Sequence, residues 1–400
     1  MGTYKYYKFL TLHIFFVFLL LGFTAFGGPV AHIGYFRSEF VDKRKWVDAN
    51  QFQDLVALCQ FLPGPMSSQV GFGLGMLRGN IPGGLAAWLG FTAPSAVFML
   101  CIGIGINHFN NELVIPFLHG LKLAAVAIIA WALWQMGKSA LRGKTELILA
   151  IGSCTILLCT NLLWIQVALI ILSAFVGIFC IPRKNNETLT STNIKLSKRF
   201  GNICVFILIG ILLGAPVIAA IANIGEIYIF SSFFRVGSFV FGGGHVVLPL
   251  LQSEVVPLGW VNEDKFLAGY GAVQAMPGPL FTFASYLGAV SAPIIGNTNG
   301  WIVGLIALFA IFLPSFFILC AALPYWTILR SNPSLRSAIK AVNATVVGVL
   351  LAVFIDPVIT SSVNQISDIC IVFIGIFLLA LKRIPVWLIV LLSASTGAFL

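Results

Sequence analysis

FGGPVAHIGYFRSEFVDKRKWVDANQFQDLVALCQFLPGP, residues 26–65, returns later in the chain as FGGGHVVLPLLQSEVVPLGWVNEDKFLAGYGAVQAMPGP, residues 241–279. With one gap the landmarks coincide. Phe26-Gly27-Gly28 falls on Phe241-Gly242-Gly243, Ser38-Glu39 on Ser253-Glu254, Trp46-Val47 on Trp260-Val261 and Phe52 on Phe266. Gln60 with Pro63-Gly64-Pro65 falls on Gln274 with Pro277-Gly278-Pro279. Downstream, Pro94-Ser95 pairs with Pro314-Ser315, Lys122 with Lys340, and Ser173-Ala174 with Ser393-Ala394. A period near half the chain means one fold built twice, and it excludes a solenoid of many short units.

The solvent of that fold is lipid. Of the 400 residues 59% are hydrophobic and only 9% charged, more apolar surface than a soluble domain can hide. Uninterrupted apolar stretches recur at Phe9 to Phe26, Leu147 to Ile181, Ile203 to Ile224 and Val386 to Leu400. Several are long enough for a hydrocarbon layer of about 30 Å. The net charge of +10 reads as a topology signal and not as a nucleic-acid surface, because the basic residues sit mainly in short loops between apolar spans. The eight cysteines lie in apolar segments without CxxC spacing or nearby histidines, so they read as packing residues and no metal site or cofactor is indicated. The basic, apolar amino terminus runs into FGGPVAH without a small-residue cleavage signal and is expected to be retained.

Lysine and arginine mark cytoplasmic loops. Four loops are basic: Lys138 to Lys144, the linker Arg183 to Arg199, Arg330 to Lys340, and Lys382-Arg383; the turns near Asn107 to Glu112, Asn297 to Gly300 and Asp356 to Asp368 carry neither residue. Threading spans through these constraints makes Ile203 to Ile224 an unpaired crossing, so the second repeat starts from the opposite face. The expected architecture is an all-α polytopic membrane protein of two inverted-topology repeats, residues 1–182 and 225–400, joined by a basic cytoplasmic linker and connecting transmembrane helix at 183–224. Such repeats place a binding site at their interface near the bilayer midplane. Gly-Gly-Pro and Pro-Gly-Pro must interrupt a helix, either as kinks in full spans or as tips of re-entrant hairpins. Arg37, Lys43, Arg44 and Lys45 between the first pair of breaks favour hairpins, which keep them on the cytoplasmic side.

Backbone freed by a broken helix is tolerated at membrane depth only where protein or a water-filled cavity surrounds it. Four breaks in corresponding positions therefore point to one buried cavity. Each break also begins a half-helix, whose first amides lack intrahelical partners and whose dipole presents positive charge, an anion cradle. The expected cradle comprises Gly27, Gly28, Pro63, Gly64, Pro65, Ser67, Ser68 and Gln69 in the first half. Gly242, Gly243, Gly244, Pro277, Gly278 and Pro279 supply the second, with Thr282 and Ser285 close behind. Gln60 and Gln274 lead into the tips. The bland alternative is that these glycines and prolines serve tight helix packing. Arg235, where the first repeat has Leu20, is either a fixed charge for a dianion or a side chain snorkelling from a helix end. Lys122 and Lys340 fit snorkelling anchors, and Arg78 marks a cavity closure or the cytoplasmic rim. His32 and His245 lie just beyond the glycine breaks, as neutral hydrogen-bonding groups or proton carriers. Glu39, Glu254 and Asp54 are proton carriers or loop ion-pair partners. No Walker loop, HExxH or Ser-His-Asp order stands in a convincing context, so enzyme chemistry and ATP hydrolysis are not indicated and ion gradients or the membrane potential must drive any transport.

Through FGGPVAH, SEFVDKRKWVD, ALCQFLPGP, SSQVGFGLGMLRG and GFTAPS in the first half, and FGGGHVVLPLL, GWV and QAMPGP in the second, the chain resembles the chromate ion transporter family in its long, two-domain form. The likeness covers nearly all of the chain. Ser68 stands where such proteins usually show threonine, and Ala93-Pro94 replaces the common Leu-Pro; both departures are mild. The resemblance implies export of chromate from the cytoplasm across a bacterial inner membrane, with sulfate as the related oxyanion. The residues themselves imply an anion and a cradle. Tetrahedral dianions of similar size present the same target, so sulfate or another anion, a passive channel and a structural scaffold remain alternatives. Expected partners are a small inorganic oxyanion, membrane lipid and, as one option, a second copy of the chain in a homodimer.

Overall fold

A computed structural model gives the structure of the protein and describes residues 2–108, 114–160, 165–181, 196–241, 244–297, 299–381 and 383–397. Every regular element among them is helical. The first half comprises α1 (Gly2–Thr24), α2 (Gly28–Phe36), α3 (Ala49–Phe61), α4 (Met66–His108), α5 (Val114–Ala140), α6 (Lys144–Cys159) and α7 (Ile165–Cys180), and α8 (Lys198–Ala222) leads out of it. The second comprises α9 (Gly225–Phe239), α10 (Val247–Val255), α11 (Glu263–Gln274), α12 (Phe283–Ser291), α13 (Gly300–Ala322), α14 (Trp326–Ser331), α15 (Pro333–Val353), α16 (Thr360–Ser362), α17 (Ile366–Leu381) and α18 (Val386–Gly397). The apolar stretch Leu147 to Ile181 is thus divided between α6 and α7. Most of the basic linker, residues 182–195, lies outside the described residues.

Among the described residues, five helical stretches are long and apolar enough to cross a membrane: Met66–Asn107, Pro116–Ala140, Lys198–Ala222, Gly300–Tyr325 and Pro333–Ser362. The surface agrees with a lipid solvent. Phe206, Leu213 and Ile221 of α8, Phe179 of α7, and Phe373 and Phe377 of α17 are all exposed, a belt that water would penalise and hydrocarbon does not. Only 17% of the most apolar window of α8 is buried, which puts this connecting helix at the periphery. The chain is an all-α, multi-pass membrane protein.

The breaks fold the chain back on itself. After α1, Gly27 and Gly28 take φ of +101° and +75°, left-handed conformations open to glycine at little steric cost. Pro29 then sits in the first turn of α2, where its missing N–H costs nothing. The returning segment lies along α1: Phe18 stacks on Phe40 at 4.8 Å and meets Phe36 at 5.7 Å, while Trp46 faces His13 at 6.3 Å. A π-helical turn over Arg37–Lys43 continues α2, and Asp48 caps α3 by accepting from the Gln51 amide at 2.8 Å.

A second fold-back follows at residues 62–65. Leu55 of α3 packs against Gly73, and the chain returns to the level of Trp46, over which Arg78 lies at 5.8 Å. There α4 bends sharply, because Gly79 and Asn80 leave the helical region, Asn80 with φ of +55°. Its first leg, 66–78, packs on its second, 81–108, through Gly75, Gly83, Gly84 and Ala87, small residues that let two backbones approach. Ala25–Gly28 and Leu62–Pro65 therefore sit at one level, and Arg44–Asp48 and Gly79 at the other.

The second half runs through the same order: α9, a break, α10, a loop, α11 capped by Asn262, the Pro-Gly-Pro break, short α12 and long α13. Gly288 and Gly304 seat α12 on α13. Between the halves, Phe72 stacks on Phe316 at 4.5 Å and Trp88 meets Phe309, Phe312 and Phe316 at 5.3–5.6 Å.

Candidate anion site

The four breaks converge, and each Pro-Gly-Pro tip is held by the opposite half. Gly64, at φ +122°, donates its amide to the Val240 carbonyl at 2.7 Å; Gly278, at φ +92°, donates to the Ala25 carbonyl at 2.9 Å. Val240 and Ala25 are the residues just before the two FGG breaks. Behind the tips stand the helical Pro-Ser steps: a Cβ on Gly64 would come within 2.8 Å of Ser315 Cβ, and one on Gly278 within 2.9 Å of Ser95 Oγ. Gly244 closes the ring, its α-carbon facing Pro29 and Leu280. Gly64, Gly278 and Gly244 are thus buried in inter-half contacts, and the Gly64 and Gly278 amides are already engaged. Gly242 and Gly243 lie outside the described residues.

The polar side chains at this junction divide unequally between the halves. In the first, Ser67, Ser68 and Gln69 are buried on the opening turn of the first leg of α4. Gln69 Nε2 donates to the Pro63 carbonyl at 2.8 Å and braces the tip, but Ser68 Oγ and Gln69 Oε1 have no protein partner. His32 is 1% exposed, with Nε2 3.2 Å from the Ala25 carbonyl. A carbonyl only accepts, so Nε2 carries the proton, and Nδ1 is a buried acceptor without a protein partner. Thr92 Oγ1, on the second leg of α4, is unpartnered too. Space is also open beside Gly28, where an added Cβ would meet nothing within 4 Å.

In the second half the equivalent groups are mostly satisfied internally. Thr282 Oγ1 donates to the Pro279 carbonyl at 2.9 Å and Ser285 Oγ to the Thr282 carbonyl at 2.7 Å. His245 Nδ1 lies 2.8 Å from the Tyr270 hydroxyl. Among the described residues there, Gln274 Nε2 is left without a partner. Pro65, Pro277 and Pro279 are buried and Pro63 half-buried, whereas Gln60 is exposed and takes no part in the junction. An anion cradle needs donors that the protein does not itself consume. The amides of Met66, Ser67 and Ser68 at the start of the first leg of α4, which precede any intrahelical acceptor, meet that condition together with the Ser68 hydroxyl.

The charged candidates stand outside the junction. Arg235 is bound by Glu254, Nε to Oε1 at 2.8 Å and Nη2 to Oε2 at 2.5 Å. Glu39, the repeat counterpart of Glu254, pairs instead with Arg44 at 2.6 Å and Lys43 at 3.4 Å. Burial opposes its ionisation, but the hydrogen bonds and charges of Arg44 and Lys43 outweigh that and hold the carboxyl below its ordinary value. Arg78 lies at the loop level on Trp46, and Asp54 is buried. Sequence reasoning gave no role to Thr92, within GFTAPS, or to Tyr270, and gave the Pro94-Ser95 and Pro314-Ser315 steps none beyond their repetition.

Lys122 is buried rather than snorkelling: it donates to Asp264 at 2.7 Å and to the Ser361 carbonyl at 3.1 Å, linking α5 of the first half to α11 of the second. Its counterpart Lys340 is exposed. Asp264 is itself 63% exposed, which screens the pair, so Asp264→Ala is expected to cost only about 1 kcal/mol, at the top of the range for surface pairs. The cost arises because a buried ammonium loses its counter-charge. Lys122→Met in the same background should return most of it, which thermal unfolding of the single and double variants in detergent would show.

Comparison with known proteins supplies the context for this geometry. The chain matches the chromate transporter family over residues 12–178 and 227–398. It is 29% identical to an uncharacterised transporter of Methanocaldococcus jannaschii, over 96% of this chain and 93% of that one. It is 26% identical to a probable chromate transport protein of Synechococcus elongatus, over 95% and 93%, and 27% identical to a chromate transport protein of Pseudomonas aeruginosa, over 85% and 79%. No solved structure matches it. Two matched segments that span both halves, helices that cross a membrane and breaks gathered at the junction all bear on one conclusion: the chain belongs to the chromate transporter family and is a membrane transport protein, not an enzyme.

Proposed function

We propose that the protein is a secondary-active transporter of a tetrahedral oxyanion that exports chromate from the cytoplasm across a bacterial inner membrane by alternating access. The dianion binds at the junction of the four breaks, against the amide donors and hydroxyl that open the first leg of α4. Residues 1–182 and 225–400 act as inverted repeats, with 183–224 as their connector, and their relative rocking exposes the junction to either face. The observation that carries this reading is the pair of crossed hydrogen bonds from Gly64 to Val240 and from Gly278 to Ala25. They gather four interrupted helices at one point between the halves, beside buried donors with no protein partner. Names borne by the relatives favour chromate; the donors alone accept sulfate equally.

The test is uptake of labelled chromate and labelled sulfate into inverted vesicles containing the protein, with and without an imposed potential. Saturable chromate uptake inhibited by excess sulfate, with trans-stimulation, is expected. Uptake of neither anion would overturn the substrate assignment, and non-saturating conductance would replace the carrier by a channel.

A further inference from the structure

Near the start of α7 and along α9 and α10 lies a crevice lined by Gln166, Arg235, Phe239, Leu250, Ser253 and Glu254, among others. Arg235 and Glu254 are its charged lining residues, and their side chains are 16% and 19% exposed. A largely buried charged pair between the helices of a membrane protein is costly to keep and is a candidate for function. Its geometry is specific: two roughly parallel N–H donors of one guanidinium fork meet the two oxygens of one carboxylate. That fork presents the same bidentate fit to two oxygens of a tetrahedral oxyanion.

The first half shows that the hairpin does not require this pair. At the position of Arg235 it has Leu20, and its glutamate, Glu39, takes Arg44 and Lys43 from the following loop. The same fold-back of helix, break and helix forms with leucine, not a basic residue, at that position of its first helix. Arg235 is therefore an addition to the second half alone. Along α9 it stands five residues before Val240, roughly 7.5 Å at 1.5 Å per residue, and Val240 is the residue that holds the Gly64 tip.

We propose that Arg235 is a staging site for the oxyanion and that Glu254 occupies it as an internal stand-in. The arriving dianion displaces the Glu254 carboxylate from the guanidinium, and the carboxylate takes the guanidinium back once the anion moves on toward the tips. This inference rests on the oxyanion reading given above. It requires the two residues to act in opposite directions: Glu254 competes with substrate and Arg235 holds it.

Equilibrium binding of labelled sulfate to the purified protein in lipid nanodiscs tests it. Glu254→Gln, which keeps the shape of the side chain but removes the competing charge, is expected to tighten sulfate binding about tenfold or more. Arg235→Gln is expected to weaken it about tenfold or more, with Arg235→Lys between Arg235→Gln and the parent. A purely structural ion pair predicts that both neutral variants lower thermal stability and shift affinity in the same direction or not at all. Unchanged or weaker binding by folded Glu254→Gln therefore overturns the inference while leaving the transport reading intact. Absence of sulfate and chromate binding by the parent protein overturns the reading itself.

Discussion

Gly278→Val is expected to abolish transport while leaving the protein inserted in the membrane, and Gly64→Val to do the same. Both glycines hold positive φ, +92° and +122°, conformations that cost a side-chain-bearing residue about 1–3 kcal/mol. Both are also walled in: the added Cβ would approach Ser95 Oγ to 2.9 Å in one case and Ser315 Cβ to 2.8 Å in the other, before the rest of the valine is placed. The tip must move, and with it the hydrogen bond that joins the halves. Displacement by about 1 Å of groups that position a substrate is enough for roughly a hundredfold loss. Apolar spans carry insertion, and these remain unchanged. Vesicle uptake beside membrane fractionation measures both quantities, and normal uptake by the two variants would remove the junction from the mechanism. Gly28→Ala is the comparison, since it meets the same backbone strain at φ +75° with nothing within 4 Å to strike; a milder defect is expected.

Ser68→Ala is expected to separate binding from stability. The Ser68 hydroxyl is 1% exposed and has no protein partner, so its removal relieves an unsatisfied buried group. Thermal stability of the substrate-free protein should hold or rise by up to ~1 kcal/mol. Affinity should move the other way, because a hydrogen bond to a charged ligand is worth about 1.5–3 kcal/mol, or roughly a ten- to hundredfold change in Kd. Ser68→Thr, the residue usual at this step in the proteins the chain resembles, should keep binding near the parent value. Loss of stability with unchanged affinity would mean that Ser68 is a packing residue and that the cradle lies elsewhere.

The breaks were legible in the sequence because glycine and proline act locally. Gly27-Gly28-Pro29 and Pro63-Gly64-Pro65 cannot continue a helix whatever surrounds them. The chain turns back at both. Arg78 was read as a closure or a rim marker, and the sharp bend at Gly79-Asn80 puts it at the loop level. What a local signal cannot disclose is which partner a freed group finds. The Gly64 and Gly278 amides read as donors for an anion, whereas each is spent on a carbonyl more than a hundred residues away. Arg235 read as an open charge or a snorkelling one because its partner, Glu254, sits on the next helix, and its repeat counterpart, Leu20, has no charge to pair. Lys122 read as an anchor for the same reason, its carboxylate being supplied by the other half. Ser68 was legible as a residue type and a position; its being the unpaired hydroxyl, while Thr282 and Ser285 bond to backbone, depends on packing that the repeat pattern does not encode.

The crossed bonds between tips and breaks also constrain how the protein is made. The Gly64 amide is made with the first half, and the carbonyl that accepts from it, on Val240, is synthesised only after the connecting helix α8 and most of α9. Until then the first half sits in the bilayer with a polar notch that lipid cannot serve, so water or the insertion machinery must occupy it. Newly made amino-terminal halves are thus obliged to wait, and a ribosome that stalls before Val240 releases a product whose Gly64 amide has no carbonyl to meet.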